Sequence, residues 1–135
     1  MTLHRKGVRI VLGAACALAS LGAVSSAQQT GITRTILQQA DLAAPGREVV
    51  VARVGFEPGA EIAKHTHPGE EIGYVLEGTL VLEIAGRAPV TLKAGEPFLV
   101  PAGAVHGGRN AGTGGAQVLA TYVVEKGKTL SVPAQ

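Results

Sequence analysis

The chain has 135 residues, a formal charge of +2, and a 46% hydrophobic content with only 3% aromatics. That length is one small domain's worth, and so few aromatic rings argue against a site built to stack a large planar ligand. The charge is unevenly placed: Arg5, Lys6 and Arg9 precede every acidic residue, and beyond residue 27 nine cations face ten acids, about −1. No basic patch remains there of the kind nucleic acid requires.

Residues 1–27, MTLHRKGVRIVLGAACALASLGAVSSA, set three cations ahead of an apolar run and close on small residues suited to cleavage before Gln28. This is the pattern of a secretory signal peptide and predicts an exported protein, periplasmic or secreted, with no membrane anchor once the leader is cut. A retained anchor is the alternative, but the run over residues 10–24 has 15 residues, short of the ~20 that span a bilayer. A lipoprotein signal at Cys16 would want leucine where Gly13 stands. Cleavage also removes Cys16 and Met1, leaving no Cys, Met or Trp. The exported part then has no disulfide and no thiolate ligand. Loss of the oxidisable sulfurs suits an oxidising compartment, although an Ala-, Gly- and Val-rich bias accounts for it more simply.

Residues 28–46 read as an N-terminal arm, an edge strand that ends at Pro45-Gly46. Residues 47–127 then alternate short strand-like runs with glycine turns, and 128–135 form a tail. Residues 48–57 are valine-rich. Residues 72–76 lead into Glu77-Gly78, and 79–84 alternate, with Leu80, Leu82 and Ile84 on one face. Val90 and Leu92 alternate, Phe98-Leu99-Val100 meets Pro101, residues 110–115 form a glycine-rich loop, and 117–125 make a last strand. No amphipathic helix follows the leader. The pattern predicts an all-β barrel or sandwich.

Within it, HTHPGEE, residues 65–71, gathers ligand types. On a strand, His65 and His67 face one side, and both imidazoles can meet one ion. Pro68-Gly69 bends the chain and Glu71 opens the next strand, while Glu70, its rival, should face the other way. The exported part has one other histidine, His106, in a second glycine-proline turn, PAGAVHGGRN. His65, His67, Glu71 and His106 are therefore the expected metal ligands.

Here the chain closely resembles the cupin family. The first cupin motif reads GAEIAKHTHPGEEIGYVLEG, from Gly59 through His65, His67 and Glu71 to Gly78. The second reads GEPFLVPAGAVHGGRN, from Gly95 through Pro101, Gly103 and His106 to Asn110, and sixteen residues separate the two. The resemblance covers roughly residues 48–125. It implies a small antiparallel β-barrel of jelly-roll type holding a divalent ion on the same four ligands, and a homodimer. Gly59, Gly78, Gly95 and Gly103 fall where tight turns need unusual backbone angles.

Three imidazoles and one carboxylate suit Mn, Fe, Co, Ni or Zn without choosing among them. Open positions on such an ion mark a catalytic rather than a structural site. Tyr74 and Glu77 are candidates for proton transfer near the mouth, although Tyr74 reads more simply as a packing aromatic. Arg109 is a candidate for meeting an anionic substrate, or a solvated loop charge. The expected pocket is small and aliphatic, suited to a small carboxylate or enol-type substrate. Two functions stand side by side: a metal-dependent enzyme, foremost an oxygen-using oxidoreductase of dioxygenase type, with isomerases and lyases as neighbours, and a binding module without turnover.

Overall fold

The computed structural model describes residues 29–135, so the signal-peptide expectation for residues 1–27 lies outside the described residues. The described residues contain ten strands and no helix: β1 (Ile32–Asp41), β2 (Arg47–Phe56), β3 (Glu61–Thr66), β4 (Gly69–Glu77), β5 (Thr79–Ile84), β6 (Val90–Lys93), β7 (Pro97–Val100), β8 (His106–Asn110), β9 (Ala116–Glu125) and β10 (Val132–Pro133). They form two five-stranded sheets, one ordered β1-β2-β9-β4-β7 and the other β10-β3-β8-β5-β6. Every pairing is antiparallel. The protein is all-β and of jelly-roll type.

Period-two alternation decides which side of each strand is inside. On β2, Val50, Ala52, Val54 and Phe56 are buried, and on β9 the buried set is Ala116, Val118, Ala120, Tyr122 and Val124. The register joins them directly, with Val50 opposite Tyr122, Ala52 opposite Ala120 and Val54 opposite Val118. Two alanines thus meet at the centre, with larger pairs on either side. Leu80 and Leu82 of β5 and Leu92 of β6 close the core from the other sheet. Val90, expected to alternate with Leu92, shares its face but is half exposed at the start of β6.

Two glycines show what the motifs require sterically. Gly78 holds φ at +78° in the tight β4–β5 turn, and a Cβ there would lie 2.5 Å from the Gly115 carbonyl oxygen. Gly59, Gly95 and Gly103 likewise take positive φ, as their turns demand. Gly73 has a different role: it faces inward on β4, and a Cβ would overlap the Phe98 ring at 2.0 Å. Its bareness lets that ring lie against the interior.

The expected strand limits shift in places. β4 begins at Gly69, so Glu71 is its third residue rather than its first. Asn110 ends β8 instead of opening a loop. Its buried amide donates to the Glu57 carbonyl at 3.1 Å and the Gly114 carbonyl at 2.7 Å, and its Oδ1 accepts from the Gly112 amide at 2.9 Å. This latches β8 and the glycine loop to the end of β2. The arm forms β1, a ten-residue edge strand paired along β2, exposed apart from Ile32. The tail contributes β10, which pairs Val132 with Thr66 and Pro133 with His65.

Candidate metal centre

β3 and β8 pair with His65 opposite His106, bringing their ring centroids to 4.2 Å. His67, just past the end of β3, lies 4.8 Å from the His65 ring and 5.0 Å from that of His106. Glu71 reaches the same point from the other sheet, on the inner face of β4. One ligand atom from each of these four buried residues lies within 4.8 Å of all the others. Glu70 is outside: its carboxylate lies 4.0 Å from the Arg47 guanidinium.

Backbone carbonyls aim the imidazoles. Nδ1 of His65 meets the Ala63 carbonyl at 2.9 Å, that of His67 the Leu130 carbonyl at 2.5 Å, and that of His106 the Ala104 carbonyl at 2.9 Å. A carbonyl only accepts, so each ring carries its proton on Nδ1 and turns a bare Nε2 inward. Nε2 of His67 and of His106 then stand 3.2 and 3.1 Å from the same Glu71 Oε2. Two nitrogen lone pairs facing a carboxylate repel one another unless a positive charge lies among them, either a proton or a metal cation. The donor set therefore fits a divalent ion.

Where no metal is bound, a proton supplies that positive charge. Burial lowers the His65 imidazole to about 4, with the His106 and His67 charges adding and the Ala63 bond opposing. Burial works against the Glu71 carboxylate, but hydrogen bonds from His106 and His67 prevail and hold it at about 2. Burial likewise disfavours charged His106, yet its bonds to Glu71 and to the Ala104 carbonyl, with the Glu71 charge, together outweigh burial and raise it. The site thus keeps a carboxylate charged and His65 neutral, the forms that ligate metal. Behind His67, the Tyr122 ring packs edge-on at 4.7 Å. Its phenol is raised by burial and by the Glu71 charge, with Arg34 opposing.

A cavity of about 40 Å³ opens beside His65, Glu71, His106 and Tyr122. Val54, Leu80, Leu82 and Val118 supply aliphatic walls and Phe56 and Phe98 add two rings. At ~10–15 Å³ for each enclosed water, such a space takes about three waters or a few ligand atoms.

Three sequence candidates lie elsewhere. Tyr74 is 45% exposed on the outer face of β4, because its offset of three from Glu71 reverses its side. Arg109 stands three residues from His106 and is exposed on the outer face of β8 for the same reason. Glu77 has the right parity, but a bulge between Val75 and Glu77 turns it outward, where it accepts from Gln117 Nε2 at 3.2 Å. None of the three lines the cavity.

Two contributors escaped the sequence reading. The Leu130 carbonyl that orients His67 comes from the C-terminal tail, and a backbone acceptor leaves no signal in a side-chain pattern. Arg34, on the arm, lines the cavity with the imidazoles. Its signal was present as a cation flanked two residues away by Ile32 and Ile36, on what should be an apolar face.

The molecule is a double-sheet antiparallel barrel enclosing three histidines and a glutamate that could hold a metal ion. The sequence matches the cupin domain family over residues 52–122, more than half of the chain, and the protein belongs to that family. Among curated relatives, Germin-like protein 1-1 of Oryza sativa subsp. japonica is 40% identical over 79 residues, covering 55% of this chain and 37% of its own length. Oxalate oxidase 2 of Hordeum vulgare is 32% identical over 93 residues, covering 63% of this chain and 42% of its own. The chain thus spans about two fifths of the length of these relatives. Among solved structures, an oxalate oxidase in complex with the substrate analogue glycolate superposes with a TM-score of 0.63 at 28% identity, over 78% of this chain and 56% of that one. A conserved protein with a double-stranded β-helix domain from Klebsiella pneumoniae subsp. pneumoniae gives a TM-score of 0.64 at 22% identity, over 78% and 88%. That likeness is one of fold.

Proposed function

We propose that this cupin is an exported metal-dependent enzyme, an oxygen-using oxidoreductase acting on a small carboxylate or enol-type substrate. His65, His67, Glu71 and His106 would hold one divalent transition ion among Mn, Fe, Co, Ni and Zn. The observation that carries the reading is the trio of backbone-locked imidazoles aimed, with one carboxylate, at a common point beside a small apolar cavity. When bound, the ion supplies Lewis acidity and open coordination positions. The chain's own residues do the rest: the carbonyls of Ala63, Leu130 and Ala104 fix the rings, and Val54, Leu80 and Leu82 exclude water. The oxalate oxidases among the similar proteins support the oxidoreductase class.

A binding module without turnover is the second reading. It is favoured by one observation: apart from the four ligands, only Arg34 and the Tyr122 phenol bring titratable groups to the cavity. Export rests on residues 1–27, and the division into leader 1–27, arm 28–46, barrel 47–127 and tail 128–135 belongs to the same proposal. A homodimer is supported by the outer face of β4 and β7, where Ile72, Tyr74, Leu76 and Leu99 are 42–55% exposed side by side. An apolar patch on a sheet face is a candidate contact for a second copy.

The test is elemental analysis of protein purified without tag or chelator, followed by dioxygen uptake with oxalate, glycolate and small diketones. About one equivalent of ion, lost together with uptake in His106→Ala, is the expected result. Ion without uptake on any of these compounds would leave the binding module. Absence of ion would sink both the metal site and the enzyme.

A further inference from the structure

The cavity carries one cation that the metal cage does not use. Arg34 lies on β1 opposite Val54, and Ile32 lies opposite Phe56. Ile32, Val54 and Phe56 are all buried, so strand parity sets Arg34 on the inward face with them. Its side chain nevertheless keeps solvent contact, which places it at the cavity mouth. Among the residues lining that cavity it is the one lysine or arginine, and Glu71 is the one acid.

Arg34 has no carboxylate partner within 4.0 Å among the described residues; the ion pairs there are Arg47–Glu70, Lys126–Asp41 and those between Glu71 and its histidines. Its polar neighbour is the Tyr122 phenol, a weak partner for a guanidinium. An unpaired arginine above apolar walls is a preformed anion site, because its planar fork matches a carboxylate and the walls weaken screening. With the cage as proposed above, Glu71, a divalent ion and Arg34 together leave the cavity positive.

We infer that Arg34 selects the ligand of this cavity: it receives the free carboxylate of a small organic acid whose other oxygens face His65, Glu71 and His106. The space of about 40 Å³ holds only a few ligand atoms at ~10–15 Å³ per enclosed water, so the acid is small and its free carboxylate lies at the mouth. The inference rests on the small-carboxylate reading above and deepens it by naming the residue that reads the charge.

Calorimetric titration of manganese-loaded protein with oxalate tests it, using wild type, Arg34→Gln and Arg34→Lys. The expected result is oxalate binding by wild type, weakened about tenfold or more in Arg34→Gln and partly restored in Arg34→Lys. Manganese content and melting temperature should stay unchanged throughout. Equal affinity in wild type and Arg34→Gln would overturn the role of Arg34 while leaving the carboxylate reading intact. Loss of manganese in Arg34→Gln would also overturn it, because Arg34 would then act on the cage. Manganese-loaded wild type that binds no oxalate would sink the carboxylate reading, and this inference with it.

Discussion

Two kinds of segment build the site, and they differ in what they expose to a reader of the sequence. The turn segments around His65–Glu71 and around His106 carry all four candidate metal donors within short, regular spacings. The arm and the tail carry none, yet β1 brings Arg34 to the cavity and the tail brings the Leu130 carbonyl to His67. Donors must converge within a few ångströms, so turn geometry can place most of them locally. Groups that aim the donors or read a ligand's charge need only reach the site, and any strand the topology delivers can supply them. The contrast separates what would make a metal site from what would make it selective.

The largest expected effect is on the donor side. Glu71→Gln removes the one charge in the cage, and metal should fall from about one equivalent to a trace by elemental analysis. Glu70→Gln, one residue away on the outer face, should keep full occupancy. If both lose metal, the inward and outward faces of β4 are wrongly assigned.

The tail comes next. Truncation after Lys128 removes β10 and the Leu130 carbonyl, freeing the His67 ring. Loss of such an orienting partner costs about 10–100-fold in metal affinity, measurable by chelator competition below the melting temperature. Unchanged affinity would show that the terminal segments matter less than this contrast claims.

A smaller effect follows from pH. In the metal-free protein, folded His65 accepts its proton only at about 4, whereas in the unfolded chain it does so near 6.5. As pH falls through that window the unfolded state binds more protons, so this residue lowers stability between about 6.5 and 4. Glu71 acts lower down: its folded value of about 2 contributes stability that is fully present above about 4.5 and is lost toward 2. Melting temperatures followed against pH in the presence of chelator should decline from 6.5 to 4, and His65→Gln should flatten that decline.

The smallest effects belong to the outward trio. Tyr74→Ser, Glu77→Gln and Arg109→Ala should each leave metal content unchanged and shift stability by no more than about 0.5 kcal/mol, as surface changes usually do. Substantial metal loss in any of them would mean that its side chain turns inward in solution.

These outcomes bear on how legible the molecule was. The all-β class followed from alternation and glycine turns, and the register bears it out along Val50, Ala52 and Val54. The convergence of the four candidate donors was readable because each lies on a strand or turn whose local geometry fixes its direction. Tyr74 and Arg109 were readable in principle, since an offset of three reverses a strand side chain, and proximity in sequence was weighed above parity. Glu77 was not readable, because only pairing with β9 reveals the bulge that turns it outward.

The sequence by itself determined an all-β fold and the four residues able to ligate, because alternation and turn chemistry act over a few residues. Tertiary structure alone decided that Glu71 meets the imidazoles across the two sheets, that the C-terminal tail locks His67, and that an N-terminal arginine overlooks the cavity. Those facts depend on strand order and register, which are set by how distant strands pair.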